Sequence, residues 1–63
     1  MVWLERLRHD KHMTEQDVAQ AAGISQQHYN FIENGKRRPS VDVAKTLGEL
    51  LGFDWTKFYE NEK

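Results

Sequence analysis

Apolar residues recur along this chain at intervals of three and four, and no stretch alternates apolar with polar long enough to make a strand. Trp3, Leu4 and Leu7 form one stripe with Glu5, Arg6, Arg8 and Asp10 around it, which predicts a first helix from Val2 to Lys11. Met13 turns inward. Thr14, followed three residues later by Asp17, approximates a capping box, so a second helix is expected over Glu15–Ala22, with Val18, Ala19 and Ala22 on one face. Gly23 suits the left-handed position that ends a helix, Ile24 plugs the turn and Ser25 caps a third helix, Gln26–Asn34. Gly35 closes that helix and Pro39-Ser40 opens a fourth, Val41–Leu51, with Val41, Ala44, Leu47, Gly48 and Leu51 at helical spacing. Gly52 stops it. Phe53, Trp55 and Phe58 then predict a last short helix capped by Asp54. The expectation is a compact all-α domain of five helices, residues 1–63, with its core over about 3–59.

The third helix departs from ordinary surface composition. Residues advance about 100° each around an α-helix, so Gln26, Asn30, Asn34, Gln27 and Phe31 follow one another around a contiguous arc. Tyr29 and Ile32 lie opposite, where a core belongs, and His28 sits at the border beyond Phe31. The arc holds amides and one aromatic but no charge. Amide side chains have a defined use in the DNA major groove, where Gln or Asn pairs with adenine N6 and N7. A second use is bland: glutamine is a fair helix former and serves on any solvated face. Phe31 is open between a thymine methyl, a protein contact and the rim of the core.

Composition narrows the class. At 63 residues the chain is one domain, and so small a domain hides only about 60% of the surface its unfolded form exposes. It has no cysteine, which excludes disulfides and thiolate-bound zinc, leaving helix packing and self-association as sources of stability. No window approaches the ~18 apolar residues of a membrane span, and MVWLERLRHD is charged too early for a secretory signal. A cytoplasmic setting is expected.

The formal charge of −1 sits awkwardly with nucleic-acid binding, yet distribution matters more than the sum. Lys36, Arg37 and Arg38 form a cationic knot after the third helix. The tail beyond carries Asp42, Glu49, Asp54, Glu60 and Glu62 against Lys45, Lys57 and Lys63. One end is therefore positive while the whole is not.

Taken in order, Leu4-x-x-Leu7-Arg8, Met13-Thr14, Val18-Ala19, Gly23-Ile24-Ser25, Ile32-Glu33-Asn34-Gly35-Lys36, the pair Arg37 and Pro39, and Leu51-Gly52-Phe53 resemble the Cro/repressor-type helix-turn-helix family, also called the xenobiotic-response-element family. The most specific string is IENGKRRPS. The resemblance implies a lambda-repressor-like fold with helices two and three as the DNA-reading unit. It implies base contacts from Ser25, Gln26, Gln27, Asn30 and Phe31. Phosphate contacts are expected from Gln16, His28, Asn34, Lys36, Arg37 and Arg38, and a structural ion pair between Arg8 and Glu33. Three positions depart from the family pattern. Glu15 replaces a usual glutamine and puts a carboxylate where a phosphate is expected. Tyr29 replaces an aliphatic core residue, so its hydroxyl needs a partner. His12 replaces a frequent glycine where φ is open to positive values.

Other chemistry is thin. His9 and His12, with Asp10 or His28, are weighed as metal ligands against solvated histidines attracted to a helix C-terminus, and no metal or cofactor is assigned. No glycine-rich phosphate loop, nucleophile motif or clustered acid pair is present, so no enzymatic activity is expected. Trp55, Phe58 and Tyr59 are expected in the core or at its edge. Val43 and Leu50, off the stripe of the fourth helix, are a candidate patch for a homodimer. The functional expectation is a repressor-like regulator of double-stranded DNA. The alternative is a protein-binding module on the same fold, antitoxin-like or anti-regulator-like, motivated by Glu15, Phe31 and the acidic balance.

Overall fold

In the computed structural model, which describes residues 1–60, every helix after the first begins where a side chain takes up a free backbone amide. Four α-helices result: α1 Val2–Asp10, α2 Glu15–Ala22, α3 Gln26–Glu33 and α4 Val41–Leu51. Thr14 Oγ1 accepts from the Asp17 amide at 3.0 Å while Asp17 Oδ2 accepts from the Thr14 amide at 3.0 Å, a complete capping box for α2. Ser25 Oγ accepts from the His28 amide at 3.0 Å, and Ser40 Oγ from the Val43 amide at 3.3 Å. Lys11 and Asn34, expected inside helices, are C-caps of α1 and α3 instead. Expected charges Glu62 and Lys63 lie outside the described residues.

The fifth helix is corrected in kind. Trp55–Tyr59 is a 3-10 helix, started by Asp54 Oδ1, which accepts from the Thr56 amide at 3.0 Å. Five residues are too few to repay α-helix nucleation, and i to i+3 bonding is the usual form of such short pieces. Its entry is also pressed onto α4. A Cβ at Gly48 would lie 2.6 Å from the Phe53 carbonyl oxygen, so only glycine allows this approach.

The core is Leu4, Val18, Ala19, Tyr29, Ile32, Ala44, Leu47, Leu51 and Phe58, drawn from all four α-helices and the 3-10 helix. α2 packs on α3 and α4, α1 on α3, and α4 on the 3-10 helix. At one edge Trp3, Phe53 and Phe58 meet with ring centroids 5.1 to 5.5 Å apart, in the tilted and edge-on arrangements aromatic quadrupoles favour. Trp55 and Tyr59 pack on the core from outside, as do Val43 and Leu50. Val43 and Leu50 are only partly buried there, so part of each side chain faces outward. Val41, counted with the inward stripe, overhangs the start of α4 and is 48% exposed, because it sits at the stripe's edge and nothing covers the first turn there. Among the described residues, no helix is long and apolar enough to cross a membrane.

Candidate nucleic-acid interface

Three buried side chains decide which way α3 faces. Tyr29 and Ile32 are fully buried and Glu33 nearly so, which turns the opposite arc out. Gln26, Gln27 and Asn34 are exposed there, with Asn30 and Phe31 half-buried between them and His28 half-buried at the border. Phe31 stands outside both the core and the shell of side chains packed on it. The loop before α3 is as important as the helix. Gly23 has φ +75°, and its amide and that of Ile24 bond back to Gln20 and Ala19, closing α2 and setting the angle at which α3 departs.

The polar core that anchors the ridge is a closed network. Arg8 Nε donates to Glu33 Oε1 at 2.9 Å and Arg8 Nη2 to Oε2 at 3.1 Å, a bidentate pair. Arg8 Nη1 donates to the Met13 carbonyl at 3.0 Å. The Tyr29 hydroxyl donates to Glu33 Oε1 at 2.7 Å, supplying the partner that residue required. Among the described residues no buried side-chain polar atom lacks a partner. Burial alone would raise the Glu33 carboxyl, but hydrogen bonds from Arg8 and Tyr29 outweigh it and hold the group below the usual carboxylate range. Burial first, then the bond to Glu33, pushes the Tyr29 phenol well above its ordinary value. The network ties α1 to both ends of the α3 core face. It has no free acid or base to offer a substrate.

Around the ridge, the structure brings some of the residues singled out from sequence together and leaves others apart. Gln16 and Gln26 come together, lining with Ala19, Gln20 and Ile24 a shallow hollow of about 240 Å³ between α2 and α3. Lys36, Arg37 and Arg38 line a second hollow of about 430 Å³ with Met1, Gly35 and Phe58, beyond the other end of α3. An eight-residue helix is about 12 Å long, so the amide ridge runs between the two. Arg38 also lies over the Tyr59 ring, 5.6 Å from its centroid, and Tyr59 donates its hydroxyl to the Pro39 carbonyl. Ser25 stands apart: its oxygen is committed to the cap of α3.

Two departures resolve structurally. His12 takes φ +58°, as the glycine-like position required. Glu15 is half-buried and held by an amide: Asn30 Nδ2 donates to both of its carboxylate oxygens, at 3.1 and 3.3 Å, and Asn34 Nδ2 donates to Asn30 Oδ1 at 3.1 Å. Sequence reasoning missed this contact, since the partners stand 15 residues apart on different helices. An acid where the family pattern has an amide was the only available signal. The acids Glu15 and Asp17 also occupy the positive end of α2, whereas the first turn of α3 carries none. No group of three His, Asp or Glu side chains among the described residues is arranged to hold a metal ion.

A family model described as helix-turn-helix matches residues 4–58, from within α1 to within the 3-10 helix. This chain belongs to the helix-turn-helix family. It is 52% identical over 59 residues to the uncharacterized HTH-type transcriptional regulator YqaF of Bacillus subtilis (strain 168), across 94% of this chain and 78% of that protein. It is 38% identical over 47 residues to the uncharacterized HTH-type transcriptional regulator y4dJ of Sinorhizobium fredii (strain NBRC 101917 / NGR234), across 75% of this chain and 61% of that protein. No solved structure matches the chain. Within the family's frame, α2 and α3 are the helix-turn-helix pair, and the ridge belongs to its second helix.

Proposed function

We propose that this helix-turn-helix chain is a DNA-binding transcription regulator, repressor-like, that reads double-stranded DNA by seating α3 in the major groove. The observation that carries the reading is the uncharged amide ridge of Gln26, Gln27 and Asn34, exposed on the one helix whose opposite face is locked by buried Tyr29, Ile32 and Glu33. Gln26 and Gln27 are the adenine readers, Phe31 is the thymine-methyl contact, and Ser25 contributes its hydroxyl hydrogen at the start of α3. Gln16, His28, Asn34, Lys36, Arg37 and Arg38 meet phosphates on either side. The family membership, and the regulator names its relatives carry, favour this over a protein-binding module on the same fold.

The longest dimension of the domain is 32 Å. A second copy would therefore engage a half-site centred one helical turn away, ~34 Å, as dimeric helix-turn-helix proteins do. Cytoplasmic residence follows from the same reading. Selection of bound sites from a random duplex pool at low salt tests it. The expected result is an enriched motif whose base preference at one or two positions relaxes in Gln26→Ala, by about 1–3 kcal/mol per lost bidentate pair. Equal losses on all sequences would remove Gln26 as a reader. Absence of any retained duplex at ~50 mM salt, where counterion release favours binding most, would remove the DNA reading itself.

A further inference from the structure

The chain of hydrogen bonds from Asn34 to Asn30 to Glu15 has a direction, and the carboxylate sets it. A carboxylate only accepts, so Asn30 must turn its amino group toward Glu15 and its oxygen toward Asn34. Asn34 must then donate. A glutamine at position 15 could donate or accept and would leave both amides free to flip. In this arrangement Asn30 commits part of its capacity to its neighbours, an amino hydrogen to Glu15 and a lone pair of its oxygen to Asn34, which weakens it as a bidentate partner for adenine. Acceptor capacity also remains beside Asn30: the two carboxylate oxygens of half-buried Glu15, which adjoins Glu33, carry about four lone-pair sites, and the Asn30 amino group engages one on each oxygen.

We propose that Glu15 is a specificity-determining residue: it fixes the polarity of the Asn34–Asn30–Glu15 chain and makes that edge of the ridge an acceptor that selects a cytosine amino group at one base step. Cytosine N4 is a major-groove donor that carboxylates accept from, with no acceptor of its own beside it; adenine sets its N6 donor next to the N7 acceptor, and guanine N7 and O6 and thymine O4 are acceptors that repel the charge. The charge also discourages contacts with phosphates, so Glu15 gives up non-specific affinity for discrimination. This rests on the placement of α3 in the major groove.

The test is selection from a random duplex pool with the wild-type chain, Glu15→Gln and Asn30→Ala, each carried out beside a thermal melt to establish that the fold is retained. The wild type should enrich cytosine at one position. Both variants should relax that same position about tenfold and leave the positions governed by Gln26 unchanged. Glu15→Gln should also bind random duplex several-fold more tightly and steepen the salt slope by up to ~0.9, the amount of one phosphate contact. An unchanged motif in Glu15→Gln overturns the proposal even if affinity rises, since Glu15 would then act on the backbone alone. Loss of an adenine preference in Asn30→Ala overturns it too, because Asn30 would be the reader. A wild type that enriches nothing takes the groove placement down as well, which separates that failure from failure of the proposal alone.

Discussion

Replacing Arg8 by methionine tests the anchoring network most severely. The substitution keeps the aliphatic volume but removes the guanidinium, leaving a Glu33 carboxylate whose side chain is 6% exposed with the Tyr29 hydroxyl still donating to it but no cation paired with it. The Met13 carbonyl loses its donor as well. Breaking one half of a buried pair costs about 3–5 kcal/mol. Typical stabilities of 0.05–0.15 kcal/mol per residue put a chain of this length at roughly 3–9 kcal/mol in total. The variant should therefore melt roughly 12–40 °C lower, or fail to fold at 37 °C, at about 4–8 °C per kcal/mol for a domain this small.

The pH dependence of that loss is the sharper measurement, because its sign reverses. In the wild type the Glu33 pKa is depressed below its unfolded value near ~4.3, so its stabilisation is present above that pH and lost as pH falls through the folded pKa. Without Arg8, burial dominates and the Glu33 pKa rises above the unfolded value. The variant should then gain stability as pH drops from 7 through that raised pKa, where the wild type is flat or falling. Urea titrations across pH 7 to 4 report both curves. Glu33→Gln removes the stranded charge, so the double variant should lose less than the sum of the singles, by roughly 0.5–3 kcal/mol. A loss under about 1 kcal/mol for Arg8→Met with parallel pH curves would refute the reasoning, since the pair would then behave as a solvated surface bridge.

Three other outcomes follow from the same geometry. Tyr29 holds its phenol pKa above the unfolded value near ~10, so its contribution is complete below that pH and lost as pH rises through the folded pKa; ultraviolet titration should show Tyr29 ionising only as the helical circular dichroism collapses. Gly48→Ala drives a methyl into the Phe53 carbonyl and should cost about 1–3 kcal/mol by thermal melt, where a neutral result would mean that the 3-10 helix shifts freely. Lys36→Ala with Arg37→Ala should flatten the slope of log affinity against log salt by up to ~1.8 without altering the selected motif, and an unchanged slope would take both cations away from the phosphates.

Local chemistry on this chain is strong enough to be legible residue by residue. Caps at Thr14, Ser25, Ser40 and Asp54 and stops at Gly23 and Gly52 announce themselves in order, because a helix end needs a specific acceptor or a left-handed φ within a few residues. Helical periodicity likewise places Tyr29 and Ile32 inward and the amide ridge outward. The 3-10 character of Trp55–Tyr59 was not legible, since it depends on how near α4 lets the chain approach at Gly48. The packing of Val43 and Leu50 against the core was not legible either, since both lie off the periodic stripe of their helix.

By itself, then, the amino-acid order determined an all-helical domain, the boundaries of its α-helices to within a residue, and the residues its reading helix turns to solvent. Only the tertiary structure decided which of those residues stay free to act. Asn30 belongs to the exposed arc by periodicity, yet its amide is held by Glu15 from another helix and by Asn34. Arg38 belongs to a run of cations by sequence, yet it rests on the Tyr59 ring. Periodicity is a property of one helix, whereas hydrogen bonds and ring contacts are settled by how close separate helices come, and that distance is set by the packing of the whole core.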